Sequence, residues 1–391
     1  MLEMMMGTTK KKSSRIKKVS NATTFTVSIL TEDGRLYTRG SSNLTGTGST
    51  ATIDGDWQLT DNGVVDFVMF TGGLLYLKQD RTWWITGSSY AFDTTSEYTL
   101  TLRDVTSRFS ALPADVAITK FVTGFGNTFV LMANGDVYGI GSEQLGMMGT
   151  AGTGKVTTAT LMEVGGATGF STGDTFTDIG MSLASFRSVY FLSAAGVLYG
   201  RGHGANGQLG STTTATSNPV AKVIARSVTS FKAGAVCVYY QSGNVITGFG
   251  SYKYGQLAYS IYGNDDTRFS TTGVGLFSAA ATVDTQWHVG INRIWYRSNA
   301  VWRYLGYSGT GVGSTTALPS DASVKTVTAG MEFLVGADIV SLDPNLQTSF
   351  AILDGVLYGT GFNNQNANIL PGVTKGTNSN VFVALDMTGV S

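Results

Sequence analysis

Three stretches decide the reading: NGDVYGIG at 134–141, AGVLYGRG at 195–202 and DGVLYGTG at 354–361. Each has a polar turn, a short strand with an aromatic residue and a closing glycine. Weaker copies are DGRLYTRG at 33–40, DRTWWITG at 80–87, GNVITGFG at 243–250 and NAVWRYLG at 299–306. The closing glycines Gly40, Gly87, Gly141, Gly202, Gly250, Gly306 and Gly361 recur at intervals of 47, 54, 61, 48, 56 and 55 residues. Self-similarity at such a period, filling the chain, is the signature of a repeat architecture.

Each copy extends into a larger unit. An apolar strand precedes each turn, as in TFTVSIL at 24–30, NTFVLM at 127–132 and SVYFLS at 188–193. A further strand precedes those, as in VVDFV at 64–68, ITKFV at 118–122 and TDIGM at 177–181. A Gly/Ser/Thr-rich loop follows the closing glycine and leads to a last short strand. Four short strands per unit make a propeller blade, and no segment carries a helical period. The expected fold is all-β, a seven-bladed β-propeller with blades near 16–60, 61–112, 113–171, 172–220, 221–270, 271–318 and 319–391. At Asp33-Gly34, Asn134-Gly135 and Asp354-Gly355 the sequence predicts two-residue hairpin turns with positive φ at both residues. The leftover strand NVFVALDM at 380–387 is expected to pair beside unit one and so close the ring.

Composition agrees. Among 391 residues there are 51 glycines, and charged residues are 13%, about half the usual share. Basic and acidic groups balance at 26 each, but residues 10–18 (KKKSSRIKK) hold six of the basic ones. The remainder is mildly acidic, the wrong sign for a nucleic-acid-binding body. The basic run, with Lys10, Lys11, Lys12, Arg15, Lys17 and Lys18, is a candidate tether, and residues 1–15 read as a lead-in to one propeller over 16–391.

Catalytic and metal-binding patterns are scarce. The single cysteine, Cys237, lies in the apolar run AVCVYY and reads as a buried thiol. The two histidines, His203 and His288, read as a turn residue and a strand residue facing a neighbouring sheet. No metalloprotease or nucleophile-elbow motif is present. The cluster Gly263-Asn264-Asp265-Asp266 lacks the glutamate and spacing of a calcium loop. GIGSEQLG at 139–146 follows a hairpin rather than opening a helix, which argues against a phosphate cradle. Its glycines are expected to serve close approach of neighbouring backbones near the propeller axis. No enzyme activity, catalytic residue, cofactor or metal is expected.

Just beyond the closing glycine, three units carry SEQLG at 142–146, HGANGQLG at 203–210 and KYGQL at 253–257. With LYGRG and VYGIG before them, these resemble the repeats of the RCC1-type (regulator of chromosome condensation) family. The resemblance implies a seven-bladed propeller that works by binding protein. Variable Tyr-, Asn-, Ser- and Thr-bearing loops on a fixed ring fit recognition.

Two functions are expected on this basis. The first is a structural or recognition component of a virus particle, specifically a bacteriophage virion, made in the host cytoplasm and binding another virion protein or a host surface molecule. Its grounds are the Gly/Ser/Thr/Asn-rich surface, the degenerate repeats, and an N-terminus unlike a secretion signal. The alternative is a soluble, cytoplasmic RCC1-like binding module, such as a small-GTPase exchange factor or an enzyme inhibitor. Neither requires a membrane span.

Overall fold

The computed structural model describes residues 15–23, 26–40, 53–70, 72–88, 92, 98–124, 126–150, 152–182, 187–210, 215–234, 237–251, 269–275, 283–290, 293–298, 301–306, 325–326, 338–340, 348–363 and 369–390. Apart from a few single 3₁₀ turns, the regular structure among these residues is strand. The strands form antiparallel sheets of four, each built from consecutive strands.

The first sheet holds β1 (Ile16–Thr23), β2 (Thr26–Thr31), β3 (Leu36–Gly40) and β4 (Ile53–Asp61). The second holds β5 (Val64–Phe70), β6 (Gly73–Lys78), β7 (Trp83–Ser88) and β8 (Tyr98–Asp104). In the third are β9 (Ile118–Gly124), β10 (Asn127–Met132), β11 (Val137–Ser142) and β12 (Lys155–Leu161). The fourth has β13 (Phe176–Met181), β14 (Ser188–Ser193), β15 (Leu198–Gly202) and β16 (Asn218–Ala225). The fifth has β17 (Ser230–Ala233), β18 (Cys237–Ser242), β19 (Val245–Ser251) and β20 (Phe269–Gly275). The sixth comprises β21 (Val283–Val289), β22 (Arg293–Ser298), β23 (Val301–Gly306) and β24 (Lys325–Thr326). The last comprises β25 (Asp338–Val340), β26 (Thr348–Leu353), β27 (Val356–Phe362) and β28 (Asn378–Ala384). First strands neighbour one another from sheet to sheet, and β1 also meets β26 of the last sheet. This is a β-propeller with four-stranded blades.

Second strands explain why the sequence shows apolar runs rather than alternation. β2, β10 and β14 are buried at every position because neighbouring blades cover both faces. The cores therefore lie between blades. Trp83 stacks on Phe109 at 4.1 Å and meets Phe121 edge-on at 4.9 Å, joining the second and third blades. Phe129, Phe170, Phe176 and Phe191 do the same for the third and fourth.

Two of the three expected two-residue turns differ. At Asp354-Gly355 both residues have positive φ, 52° and 77°, between the paired Leu353 and Val356. At Gly34 and Gly135 only the glycine is positive, at 83° and 88°. There Gly34 N donates to Thr31 O and Thr31 N to Arg35 O, with the same bonds at Met132, Gly135 and Asp136. The loop is three residues ending in a left-handed position, so Asp33 and Asn134 keep ordinary φ.

That turn also joins blades. The carbonyl of its last residue accepts the amide that opens the next blade: Val64 N to Gly34 O at 2.8 Å, Phe176 N to Gly135 O at 2.9 Å, and Val228 N to Gly196 O at 2.9 Å. Ile16 N donates to Gly355 O at 3.1 Å, so the first blade meets the last through the same kind of bond.

The expected closure by residues 380–387 is not what is observed. β28 pairs with β27, with Gly359 opposite Val383 and Gly361 opposite Ser379, as the fourth strand of its own sheet. Residues 385–390 then cover β4. Trp57 Nε1 donates to Asp386 O at 3.0 Å, Trp57 N donates to Thr388 O at 3.2 Å, and the indole packs with Leu385 and Val390.

Candidate functional site

The repeat glycines sit at the end of each third strand. Gly40, Gly87, Gly141, Gly202, Gly250 and Gly361 all have positive φ, and Gly306 pairs with Arg293. A Cβ on Gly141 would run into the Gly126 carbonyl oxygen, and one on Gly202 into the Arg187 carbonyl oxygen. Both contacts are close approaches of neighbouring backbone within one blade, and the Cβ on Gly202 would also meet Met147 of the preceding blade.

Of the candidate tether, Lys10, Lys11 and Lys12 lie outside the described residues. The others belong to the ring. The Arg15 carbonyl accepts Glu32 N, and its side chain packs on Gly355 of the last blade. Lys17 Nζ donates to Val65 O at 3.0 Å. Lys18 pairs with Asp66 at 2.7 Å, donates to Phe67 O and lies over the Phe67 ring. Lys120 and Asp178 repeat that inner pair at 2.6 Å between the third and fourth blades. Both pairs are partly exposed, so each contributes little.

The Gln-Leu-Gly turns seal seams between blades. Gln208 is fully buried. Its Nε2 lies 3.0 Å from His203 Nδ1, its Oε1 accepts Asn206 N, and its carbonyl accepts the Tyr190 hydroxyl. Leu209 packs into the core shared with Val228, Phe231 and Phe249 of the next blade. Gly146 of SEQLG rests against Asn218 and Pro219 of β16. The third motif, 253–257, and the acidic cluster 263–266 lie outside the described residues.

Both histidines are partly buried. Burial lowers the pKa of His203. Burial first, and the charge of Lys232 second, push His288 down to about 3. His288 is therefore neutral when folded and gains a proton on unfolding at mildly acid pH. Its contribution is full above about 6.5, the unfolded value, and declines as pH falls toward 3. At roughly 1.4 kcal/mol per pH unit, the loss at pH 5 is on the order of 2 kcal/mol. His288→Gln is expected to flatten the melting temperature between pH 7.5 and 5; an unchanged slope in that variant would refute it. Cys237 is buried, with its thiol 2.9 Å from Ser251 O. Among the described residues no three His, Cys, Asp or Glu side chains gather as metal ligands.

The unusual group is Arg201. It precedes the repeat glycine of the fourth blade, where other copies place Thr86, Ile140, Phe249, Leu305 and Thr360. The residue is 1% exposed. Its guanidinium lies 4.7 Å from the Phe170 ring centroid and Nη2 donates to Thr168 O at 3.2 Å. Nε has no hydrogen-bond partner, and no carboxylate pairs with the side chain among the described residues. Burial alone pulls its pKa down to about 10, so it stays charged at neutral pH. It lines a cleft of about 280 Å³ at the seam of the third and fourth blades, with Met148, Gly149, Met162 and Thr168. Glu143 and Glu163 line the same cleft, but Glu143 is held by the Thr150 hydroxyl at 2.9 Å and Glu163 is exposed. Sequence reading passed over this residue, although LYGRG and LYTRG put a cation where the other copies are apolar or hydroxylic.

Arg39 holds the same repeat position in the first blade and is 4% exposed. It donates to the Gly55 carbonyl and lines a cleft of about 230 Å³ with Asp386, Pro371 and Gly372 of the last blade. Hydrogen bonds from Thr388 lower the pKa of the Asp386 carboxyl, and the charge of Arg39 adds to them. Here an acidic residue shares the cleft with the buried arginine, near enough for the arginine's charge to act on its carboxyl.

No family model matches the chain, and neither does any curated protein. Among solved structures, the chain is similar to yeast RCC1 (Prp20) bound to Kap60, with TM-score 0.70 and 15% identity over 99% of this chain and 92% of that one. It is similar to Prp20p from Saccharomyces cerevisiae, with TM-score 0.67 and 16% identity over 97% and 87%. Human WBSCR16 gives TM-score 0.61 and 15% identity over 82% and 83%. At these identities the likeness is one of fold. No helix among the described residues is long and apolar enough to cross a membrane.

Proposed function

We propose that the protein is a non-enzymatic recognition module, a closed ring of seven blades that binds a protein partner at its seams. The observation that carries this is Arg201, a buried cation without a carboxylate at the edge of an open cleft. Leaving a charge buried and unpaired costs free energy, which a partner able to satisfy it recovers on binding. The similar propellers support the reading: one solved structure has Kap60 bound to yeast RCC1, and Prp20p was studied for binding to Gsp1p and histones. The virion reading rests on composition, and the geometry of the described residues adds nothing to it.

The test is chemical cross-linking in source cells followed by mass spectrometry. The expected result is one or a few protein partners cross-linked in constant ratio to the propeller. Recovery of the free propeller alone would overturn the binding role. Turnover on a glycan or nucleotide panel would overturn the non-enzymatic part. Partners that are capsid or tail proteins would restore the virion reading in place of the cellular one.

A further inference from the structure

The two buried arginines occupy one position in two blades, and each shares a cleft with acidic residues. Register makes the comparison close. Tyr358 pairs with Ala384 in the last blade and Tyr138 with Leu161 in the third. Two residues beyond those strands stand Asp386 and Glu163. Asp386 lies with Arg39 in one cleft and Glu163 with Arg201 in the other; both carboxylates are exposed and neither forms an ion pair with its arginine.

We propose that the cleft at the third seam is a docking pocket for a glutamate or aspartate side chain of a protein partner, which pairs with the buried guanidinium of Arg201, whose Nε has no partner within the protein. This rests on the binding-module reading above. The cleft, at about 280 Å³, is at the small end of the roughly 300–1,000 Å³ range of ligand sites and has room for one inserted side chain. Its walls are adaptable: Met148 and Met162 are unbranched thioethers that repack readily. Gly149, with φ 92°, leaves room beside Arg201, where a Cβ would lie 2.7 Å from Nη1. Leu161 on the lining is 48% exposed, an apolar contact for the partner backbone. Glu143 and Glu163 add acidic side chains to the lining, so a free anion is repelled and the incoming carboxylate needs basic neighbours. The occupant is an acidic residue flanked by lysine or arginine.

Methyl-labelled methionine NMR on the full chain tests this with acetyl-Lys-Glu-Lys-amide as probe. The expected result is saturable shifts at Met148 and Met162 with a Kd near or below about 1 mM, and at least tenfold weaker binding of the Lys-Gln-Lys analogue. Arg201→Met should stay folded, melt no lower than the parent and lose the response. Equal shifts with both peptides, no saturable shift, or a response retained in Arg201→Met would each overturn the proposal. If Arg201→Met instead unfolds, Gly149→Leu, which fills the cleft beside the guanidinium, must abolish the shifts in a folded protein; shifts that persist overturn it. Cross-linked partners that persist unchanged in Arg201→Met would sink the pocket and leave the binding module standing.

Discussion

Gly141→Val and Gly202→Val are each expected to cost about 4 kcal/mol or more, measured by denaturant unfolding. Two effects combine. The backbone at these sites has φ of 122° and 109°, a region that side chains rarely adopt. A Cβ would also strike a carbonyl already in use: Gly126 O accepts Ser142 N at 2.8 Å, and Arg187 O accepts His203 N at 3.1 Å. The substitution must break that bond or displace the turn. Gly173 is the control, because it has φ 79° and an added Cβ would meet nothing within 4 Å. Gly173→Ala should cost only about 1 kcal/mol. A Gly141→Val protein within about 1 kcal/mol of its parent would show that the repeat glycine is replaceable.

Trp57→Ala is expected to cost about 3–5 kcal/mol, the range for removing a large buried aromatic. Trp57 is 2% exposed and is the main apolar contact between β4 and residues 385–390. Trp83→Ala, at an internal seam, supplies the comparison, since Trp83 is 1% exposed and packs between the second and third blades. In a closed ring the first-to-last seam matters as much as any other, so the two costs should agree within about 1.5 kcal/mol. A Trp57→Ala cost below about 1 kcal/mol would mean that the last blade rests against the first without supporting it.

The fold was legible because its strongest determinants are local. Turn residues, β-branched second strands and a glycine closing each third strand all act within a few residues of where they stand. Asp33 and Asn134 were misread because a two-residue and a three-residue turn use the same Asn/Asp-Gly pair. Only the register of the flanking residues, Thr31 with Arg35 and Met132 with Asp136, separates them. Residues 380–387 were misassigned for a related reason. A strand pattern does not say which edge it joins, and β28 satisfies its own sheet first. The site was far less legible. That Arg39 shares a cleft with Asp386, and Arg201 one with Glu143 and Glu163, depends on how neighbouring blades meet, in the first case between residues hundreds of positions apart. A cation in an apolar slot was visible in the sequence, but its surroundings were not.

Beside the side-chain cores, the blade junctions described above share a main-chain bond between a turn carbonyl and the first amide of the following blade. Such a joint is indifferent to side-chain identity provided the turn keeps its left-handed last residue. Drift outside the repeat glycine and the buried seam residues can therefore alter one copy without breaking this joint. Gly34, Gly135 and Gly196 illustrate that latitude, since their blades close on Arg39-Gly40, Ile140-Gly141 and Arg201-Gly202 respectively. Outside those positions the copies of such a ring are free to differ, and each blade can carry its own surface chemistry.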